Sequence, residues 1–297
     1  MDSLAAVTSS LIVLGSVNRD LTVVVDHHPA AGETVLGGDA VAGTGGKGAN
    51  QAAAAARSGV TPTLIASVGD DDAGRGLLAE LSASGVDTSE VQRSDSPTGV
   101  ALIVVAAGEN TIVVAAGANA RLEAAPTAER VRTLTADGTV LLAQLEIPLE
   151  VVEASAGAAV SRGGRFVLNL SPYRPVSAEL LALCDPLVVN ETEAAALVGR
   201  EIDGVDAATA AARELAGGIR SVVLTLGGDG AVVARGTDAW HEPAPGVTVV
   251  DTTGAGDAFV GALSAGLASC DDLATAVRSG IAAGAEAVQY LGAQPPR

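Results

Sequence analysis

The chain has 297 residues, 17 Lys plus Arg against 35 Asp plus Glu, and a formal net charge of −18. That balance excludes a protein that grips nucleic acid through a broad basic surface, so an anionic ligand has to be met by a local arrangement of charges and amides. Hydrophobic residues make up 48% of the sequence, mostly Ala and Val, which suffices for a large core and argues against dominant disorder.

In chain order, 11–17 reads as a buried strand and 21–26 as a second extended run after a polar interruption at Asn18-Arg19-Asp20. The Ala-rich stretch 49–57 predicts a helix ending near Gly59, 63–68 a strand, and 73–84 a helix closed by Gly85. Segments 99–106 and 110–116 read as a hairpin around Gly108-Glu109, an insertion in the β-α rhythm. Short apolar strands at 140–144, 166–170, 187–189 and 221–226, with helical segments such as 149–161 and 206–215 between them, give the pattern of a parallel sheet covered on both faces. A second hairpin (231–234 and 239–241) precedes Ala-rich helices at 258–268 and 273–289. No linker or repeat divides the chain. The expectation is one α/β domain over 1–297: a doubly wound, mostly parallel sheet with helices on both faces and a small β-sheet lid from about 19–42 and 98–117.

Cys184 and Cys270 form no CxxC pair, and no His pair has metal-binding spacing, so neither a disulfide framework nor a zinc site is encoded. The chain start has no basic stretch ahead of its apolar run, and no apolar run reaches the ~18 residues of a membrane span. A soluble cytoplasmic protein with a small-molecule partner, no nucleic acid and no membrane is expected.

Two segments carry chemistry. Gly43-Thr44-Gly45-Gly46-Lys47-Gly48-Ala49-Asn50 runs straight into a helix, so its glycines admit a ligand close to the backbone and the helix start offers free amides. It is neither a Rossmann fingerprint, which would follow the first strand, nor a Walker A loop, which would place Ser or Thr after Lys47. Lys47 is the only lysine beside sixteen arginines, which suggests that a compact ammonium is needed there. Asp251-Thr252-Thr253-Gly254-Ala255-Gly256-Asp257 puts a carboxylate at the mouth of a helix beside amides that can converge into an anion hole. Asp257 can then accept a hydroxyl proton during phosphoryl transfer; its alternative use is as a helix cap. Asn18, Asp20, Glu146, Asn190 and Glu193 all follow expected strands, where ligands of open α/β sheets bind, although each also suits a turn or cap. Thr225-Leu226-Gly227-Gly228-Asp229-Gly230 suits the border of a nucleotide site or a hairpin turn.

With these residues in hand, the chain resembles the ribokinase-like (PfkB) family of sugar kinases over about 11–294. VLGSVNRD, GETV, GGKGANQAAAAARSG, GDD, SPTGVALI, GENTIVVAAGAN, QLEIPLE, NETEAAAL, TLGGDGA, DTTGAGDAFVGAL and GAQP follow the family pattern in order. The resemblance implies ATP-dependent phosphorylation of the 5-hydroxyl of D-ribose, with Asp257 as base and the amides of Gly254, Ala255 and Gly256 as anion hole. It assigns Asn18, Asp20, Gly46, Lys47, Asn50 and Glu146 to sugar hydroxyls and Ala101, Ile103 and Ile112 to apolar lid contacts. Asn190 and Glu193 are implied to face the phosphates and Mg2+, and Thr225, Gly227 and Gly230 the nucleotide. Asp251 and Thr253, with the carbonyls of Ala287 and Gly292, are implied to bind an activating K+, and the lid to pair two copies into a homodimer. Pro296 stands where the family usually offers a hydroxyl to that cation, and Asn169-Leu170-Ser171-Pro172-Tyr173 replaces a commoner Asn-Pro-Ala-Pro run. Another furanose (deoxyribose, fructose or a nucleoside) is the alternative substrate, and a non-catalytic sugar-binding protein on the same fold the alternative from a different class.

Overall fold

The computed structural model describes residues 11–107, 109–290 and 292; Gly108, expected at a hairpin, and Pro296 lie outside the described residues. In chain order the elements are β1 (Leu11–Leu14), β2 (Asn18–Val24), β3 (Val41–Gly45), α1 (Lys47–Arg57), β4 (Thr63–Gly69), α2 (Asp72–Ala83), β5 (Val91–Ser94), β6 (Gly99–Ala106) and β7 (Glu109–Ala115). They continue through α3 (Ala124–Leu134), β8 (Val140–Ala143), α4 (Leu149–Val160), β9 (Arg165–Asn169), α5 (Ala178–Leu183), β10 (Cys184–Asn190), α6 (Glu191–Val198) and α7 (Gly204–Ala216). The last are β11 (Val222–Thr225), β12 (Ala231–Arg235), β13 (Asp238–Glu242), α8 (Ala255–Ala268) and α9 (Leu273–Ala287).

Nine strands form one sheet in the order β13-β12-β11-β10-β9-β8-β1-β4-β5. The pairings from β11 through β5 are parallel, and β12 and β13 join antiparallel as the expected hairpin. Every strand of the centre is buried on both faces. Leu11 and Val13 pack against α1, α8 and α9, while Ile12 and Leu14 face α4 and its neighbours, so the period-2 alternation of side chains separates two cores rather than a core and a solvent face. Each fully buried Leu or Phe contributes ~1.5–3 kcal/mol by leaving water. The strand order reverses between β1 and β8, and their carboxyl ends open the crevice where such sheets bind ligands.

A second sheet, β3-β2-β6-β7, stands over that crevice. Here the structure corrects two local expectations. Asn18-Arg19-Asp20 is not an interruption but the start of β2, and the glycine-rich 43–45, given no strand in the sequence reading, makes up most of β3. Pairing with β2, Asn18 opposite Gly45 and Asp20 opposite Gly43, outweighs the low strand preference of glycine. β2 runs parallel to β6 with Asp20 beside Ala101, and Ile103 pairs with Ile112 of β7, which puts Asp20, Ala101, Ile103 and Ile112 on one face. β5 and α3 were not evident from sequence: β5 is a half-exposed polar strand at the sheet edge, and α3 carries Pro126 in its first turn, where a missing N–H is tolerated.

Candidate active site

Gly46 caps α1 with φ 88°, and a Cβ there would lie 2.9 Å from Asn18 N and from Ser16 O, so only glycine lets the helix start this close to the end of β1. The first helical amide, Lys47 N, donates to Glu146 Oε2 at 3.0 Å, and Ser16 Oγ donates to the same oxygen at 2.5 Å. Glu146, carried by the segment after β8, thus ties α1 to β1 and offers its negative charge to a helix amino terminus. Asn18 is held from the other side: Asn119 Nδ2 donates to Asn18 Oδ1 at 2.7 Å, and Val17 N donates to Asn119 Oδ1 at 2.9 Å.

Asp257 occupies the third position of α8, not its cap. The cap is Gly254, with φ 78°, and the Asp257 carboxylate turns inward to face α1. Asn50 Nδ2 donates to its Oδ2 at 3.2 Å, Gln51 Nε2 to its Oδ1 at 2.8 Å, and the Lys47 ammonium lies 3.9 Å from Oδ1. The approach is possible because α1 and α8 meet through small residues; a Cβ on Gly261 would fall 2.5 Å from Gln51 O and 2.6 Å from Ala54 Cβ. The cap reading of Asp257 therefore fails, and the residue is 8% exposed at the floor of the crevice. Of the three amides expected to form the anion hole, that of Ala255 closes a turn onto Thr252 O at 3.2 Å, while that of Gly256 has no protein partner among the described residues.

Asp20 projects from β2 toward Glu146 and Asp257. Burial, reinforced by the negative charges of Glu146 and Asp257, pushes its pKa up from 3.8 to about 6. Its Oδ1 is buried with no hydrogen-bond partner among the described residues, an acceptor left unsatisfied in the wall of the crevice.

Behind Asp257 lie two adjoining cavities. The smaller, about 100 Å³, is bounded by Lys47, Asn169, Ser171, Asn190, Glu193 and Asp257. Lys47 therefore contributes its backbone to the Glu146 end and its ammonium to this cavity. Asn190 and Glu193 form a reciprocal capping box on α6, at 2.8 and 2.9 Å, and still face it. Burial raises the pKa of Glu193, opposed by hydrogen bonds from Asn190 and Ser171 and by the charge of Lys47. The larger cavity, about 440 Å³, is lined almost wholly by small and apolar residues, among them Gly228, Val247, Phe259, Ile281 and Ala285, with Thr225, Gly227 and Gly230 at one wall. Thr225 and Gly256 border both cavities.

Asp251 joins the loop before α8 to the carboxyl-terminal segment: Thr253 N donates to its Oδ1 and Gly292 N to its Oδ2, both at 2.9 Å. The Ala287 carbonyl accepts Tyr290 N at 3.3 Å in the last turn after α9.

Residues 8–297 match the family described as pfkB family carbohydrate kinase. The chain belongs to that family. It is similar to the ribokinase of Haemophilus influenzae, 38% identical with 96% of this chain and 94% of that protein covered. A deoxyribokinase of Salmonella typhi is 33% identical over the same shares of the two chains. The structure of Arabidopsis thaliana ribokinase complexed with ribose and ATP superposes with a TM-score of 0.87 at 29% identity, covering 96% of this chain and 94% of that one. Among pfkB kinases the fold expectation, a mostly parallel sheet with a small second sheet, thus holds.

Three polar residues beside the crevice escaped sequence reading. Gln51, Gln144 and Asn119 are 0%, 0% and 1% exposed, yet each makes hydrogen bonds within the crevice wall. Polar residues inside apolar stretches were the available signal, since burial of such groups demands partners.

Proposed function

We propose that this chain is an ATP-dependent kinase that phosphorylates the 5-hydroxyl of D-ribose, acting as a single catalytic unit over 1–297. Asp257 carries the reading: it lies between the Asp20–Glu146 side of the crevice and the smaller cavity, bonded to Asn50 on one side and beside Lys47 on the other. Ribose lies under the lid, its secondary hydroxyls taken by Asp20, Asn18, Asn50, Glu146 and the Gly46-Lys47 turn, with Ala101, Ile103 and Ile112 over the ring. ATP places its base in the 440 Å³ cavity against Thr225, Gly227 and Gly230 and its phosphates toward Asn190, Glu193 and Lys47.

Asp257 removes the proton from the 5-hydroxyl as that oxygen attacks the γ-phosphorus, and ADP departs with the electrons of the broken P–O bond. The Lys47 ammonium, the amides of Gly254 and Gly256 and the amino end of α8 offset the charge that develops on the phosphoryl oxygens, and the amide of Ala255 joins them only by giving up its turn onto Thr252 O. Among the described residues no group of three or more His, Cys, Asp or Glu is placed to hold a metal ion. The oxygen donors Glu193 and Asn190 suit Mg2+ held largely through water and the ATP phosphates. When bound, Mg2+ supplies charge neutralisation between the phosphates. The all-oxygen set of Asp251, Thr253, Ala287 and Gly292 suits a monovalent cation such as K+, which would brace the loop that ends in Gly256.

The proposed setting is the cytoplasm; no helix among the described residues is long and apolar enough to cross a membrane. Exposed Leu102 and Val113, opposite each other on the face of the lid turned away from Ile103 and Ile112, support pairing of two copies there. A 2-deoxyribose kinase is the second reading, favoured by the Salmonella relative; the unpartnered Asp20 oxygen favours the sugar with the extra hydroxyl. Phosphorus NMR of the product formed from ribose and ATP tests the reading: a 5-phosphomonoester with stoichiometric ADP supports it, and no sugar phosphate refutes it.

A further inference from the structure

Gln51 follows Asn50 on α1 and is wholly buried, with its carboxamide at the centre of a polar chain through the crevice wall. Its Nε2 donates one hydrogen to Asp257 Oδ1 at 2.8 Å and the other to Asn169 Oδ1 at 2.9 Å, while its Oε1 accepts from Gln144 Nε2 at 2.6 Å. The donor inventory of a carboxamide is thereby used in full. Turning the group by half a rotation would set its oxygen against a carboxylate and a second amide oxygen, so its orientation is locked.

We propose that Gln51 is a positioning residue for phosphoryl transfer, an inference that rests on the kinase reading above: it fixes the rotation of the Asp257 carboxylate and so decides which lone pair receives the hydroxyl proton. Asp257 is pinned at both oxygens, by Gln51 at Oδ1 and by Asn50 at Oδ2. Asn50 faces the sugar side and Gln51 the interior, which leaves the carboxylate plane no free rotation. Asn169 borders the smaller cavity, so the same carboxamide also registers the base against the wall of the phosphate site. The chain is satisfied at its Asp257 end and not at its far end, where Gln144 Oε1 is buried with no partner among the described residues.

The test compares Gln51→Met, which keeps the volume and loses the donors, with Gln51→Glu, which keeps the shape and donates only while protonated. Misplacing a reacting group by about 1 Å can cost on the order of 10²-fold. Gln51→Met is therefore expected to lower kcat by about 10–100-fold, with KM for ribose and ATP within about threefold and an unfolding transition close to wild type. Gln51→Glu is expected to give kcat a falling alkaline limb that wild type lacks, because ionisation there sets a second negative charge against Asp257, in a wall that Lys47, Asp20 and Glu146 also face. Wild-type kcat and an unshifted pH profile in the two variants would overturn the proposal, as would a change confined to KM. Should Gln51→Met fail to fold by circular dichroism, the pH profile of Gln51→Glu decides. Failure of the kinase reading shows differently, as absence of ribose turnover by the wild-type chain.

Discussion

A Cβ placed on Gly45 would fall 1.9 Å from Asp20 Oδ1, so β3 passes directly beneath the carboxylate that β2 aims into the crevice. Gly45 leaves room for Asp20 to keep the orientation proposed for holding the sugar. The obstacle to a larger residue is the tip of a side chain rather than backbone, so Gly45→Ala is expected to swing Asp20 aside at little cost to the fold. The expected outcome is at least a tenfold rise in KM for ribose, or about 1.4 kcal/mol, with KM for ATP and the thermal midpoint near wild type. Steady-state kinetics with each substrate varied in turn checks it, and equal changes in both KM values would contradict it.

Asp20 also makes a pH signature. Its folded-state pKa of about 6 lies above its ordinary 3.8, so between those values the folded chain holds a proton that the unfolded chain has released. Stability of the free protein therefore falls as pH rises through this window, and Asp20→Asn removes that contribution. Ribose binding runs the other way: below about pH 6 the carboxyl is protonated and loses acceptor strength, so ribose KM rises as pH falls. In Asp20→Asn ribose KM is expected to be high and flat with pH. Thermal melts and ribose titrations from pH 4 to pH 8 read both effects.

Asp257→Asn keeps the shape of the base and cannot take the proton, so kcat is expected to fall by ~10²–10⁴ while ribose and ATP bind within a few-fold. Calorimetric binding with single-turnover kinetics separates the two quantities. Near wild-type turnover would reduce Asp257 to a structural residue of α8.

The two halves of the crevice should respond separately. Asn18→Ala and Asn50→Ala each leave sugar hydroxyls unpaired and are expected to weaken ribose binding by ~1–3 kcal/mol, with less effect on ATP. Asn119→Ala is expected to act like Asn18→Ala, since it removes the donor that holds Asn18 at 2.7 Å. Ala285→Phe, by contrast, fills the larger cavity and should raise KM for ATP alone. Crossed effects would mean that the ends of the crevice are assigned backwards.

These residues differ in how far the sequence disclosed them. Asp257 was legible because glycines and a carboxylate at a helix mouth form a compact pattern, and the central strands were legible because burial on both faces makes them continuous apolar runs. Gln51 was hidden by its neighbours: within GANQAAAAAR a glutamine reads as a good helix former, and its partners Gln144, Asn169 and Asp257 all lie far along the chain, the last brought in by the approach of α8 over Gly261. Asn119 reads as a loop residue, since its partner Asn18 is 101 positions away. β3 was missed because pairing partners, not local propensity, decide whether Gly43-Thr44-Gly45 is extended.

Potassium is expected to raise activity over a sodium-only buffer by bracing the 251–256 loop through Asp251, which already ties Thr253 N to Gly292 N. Asp251→Ala should remove the difference between the two salts. Equal wild-type rates in potassium, sodium and a bulky organic cation would show that no monovalent cation acts at this loop.

The most direct test of the kinase reading is kcat/KM measured with saturating ATP for ribose, 2-deoxyribose, fructose and adenosine. Ribose is expected to lead. A sugar lacking a hydroxyl leaves the Asp20 carboxylate without its partner, which polar sites reject strongly, and a larger sugar meets Ile103 and Ile112 on the lid. A higher value for any of the other three would contradict the ribose assignment, and no transfer from ATP to any of the four would contradict the kinase itself.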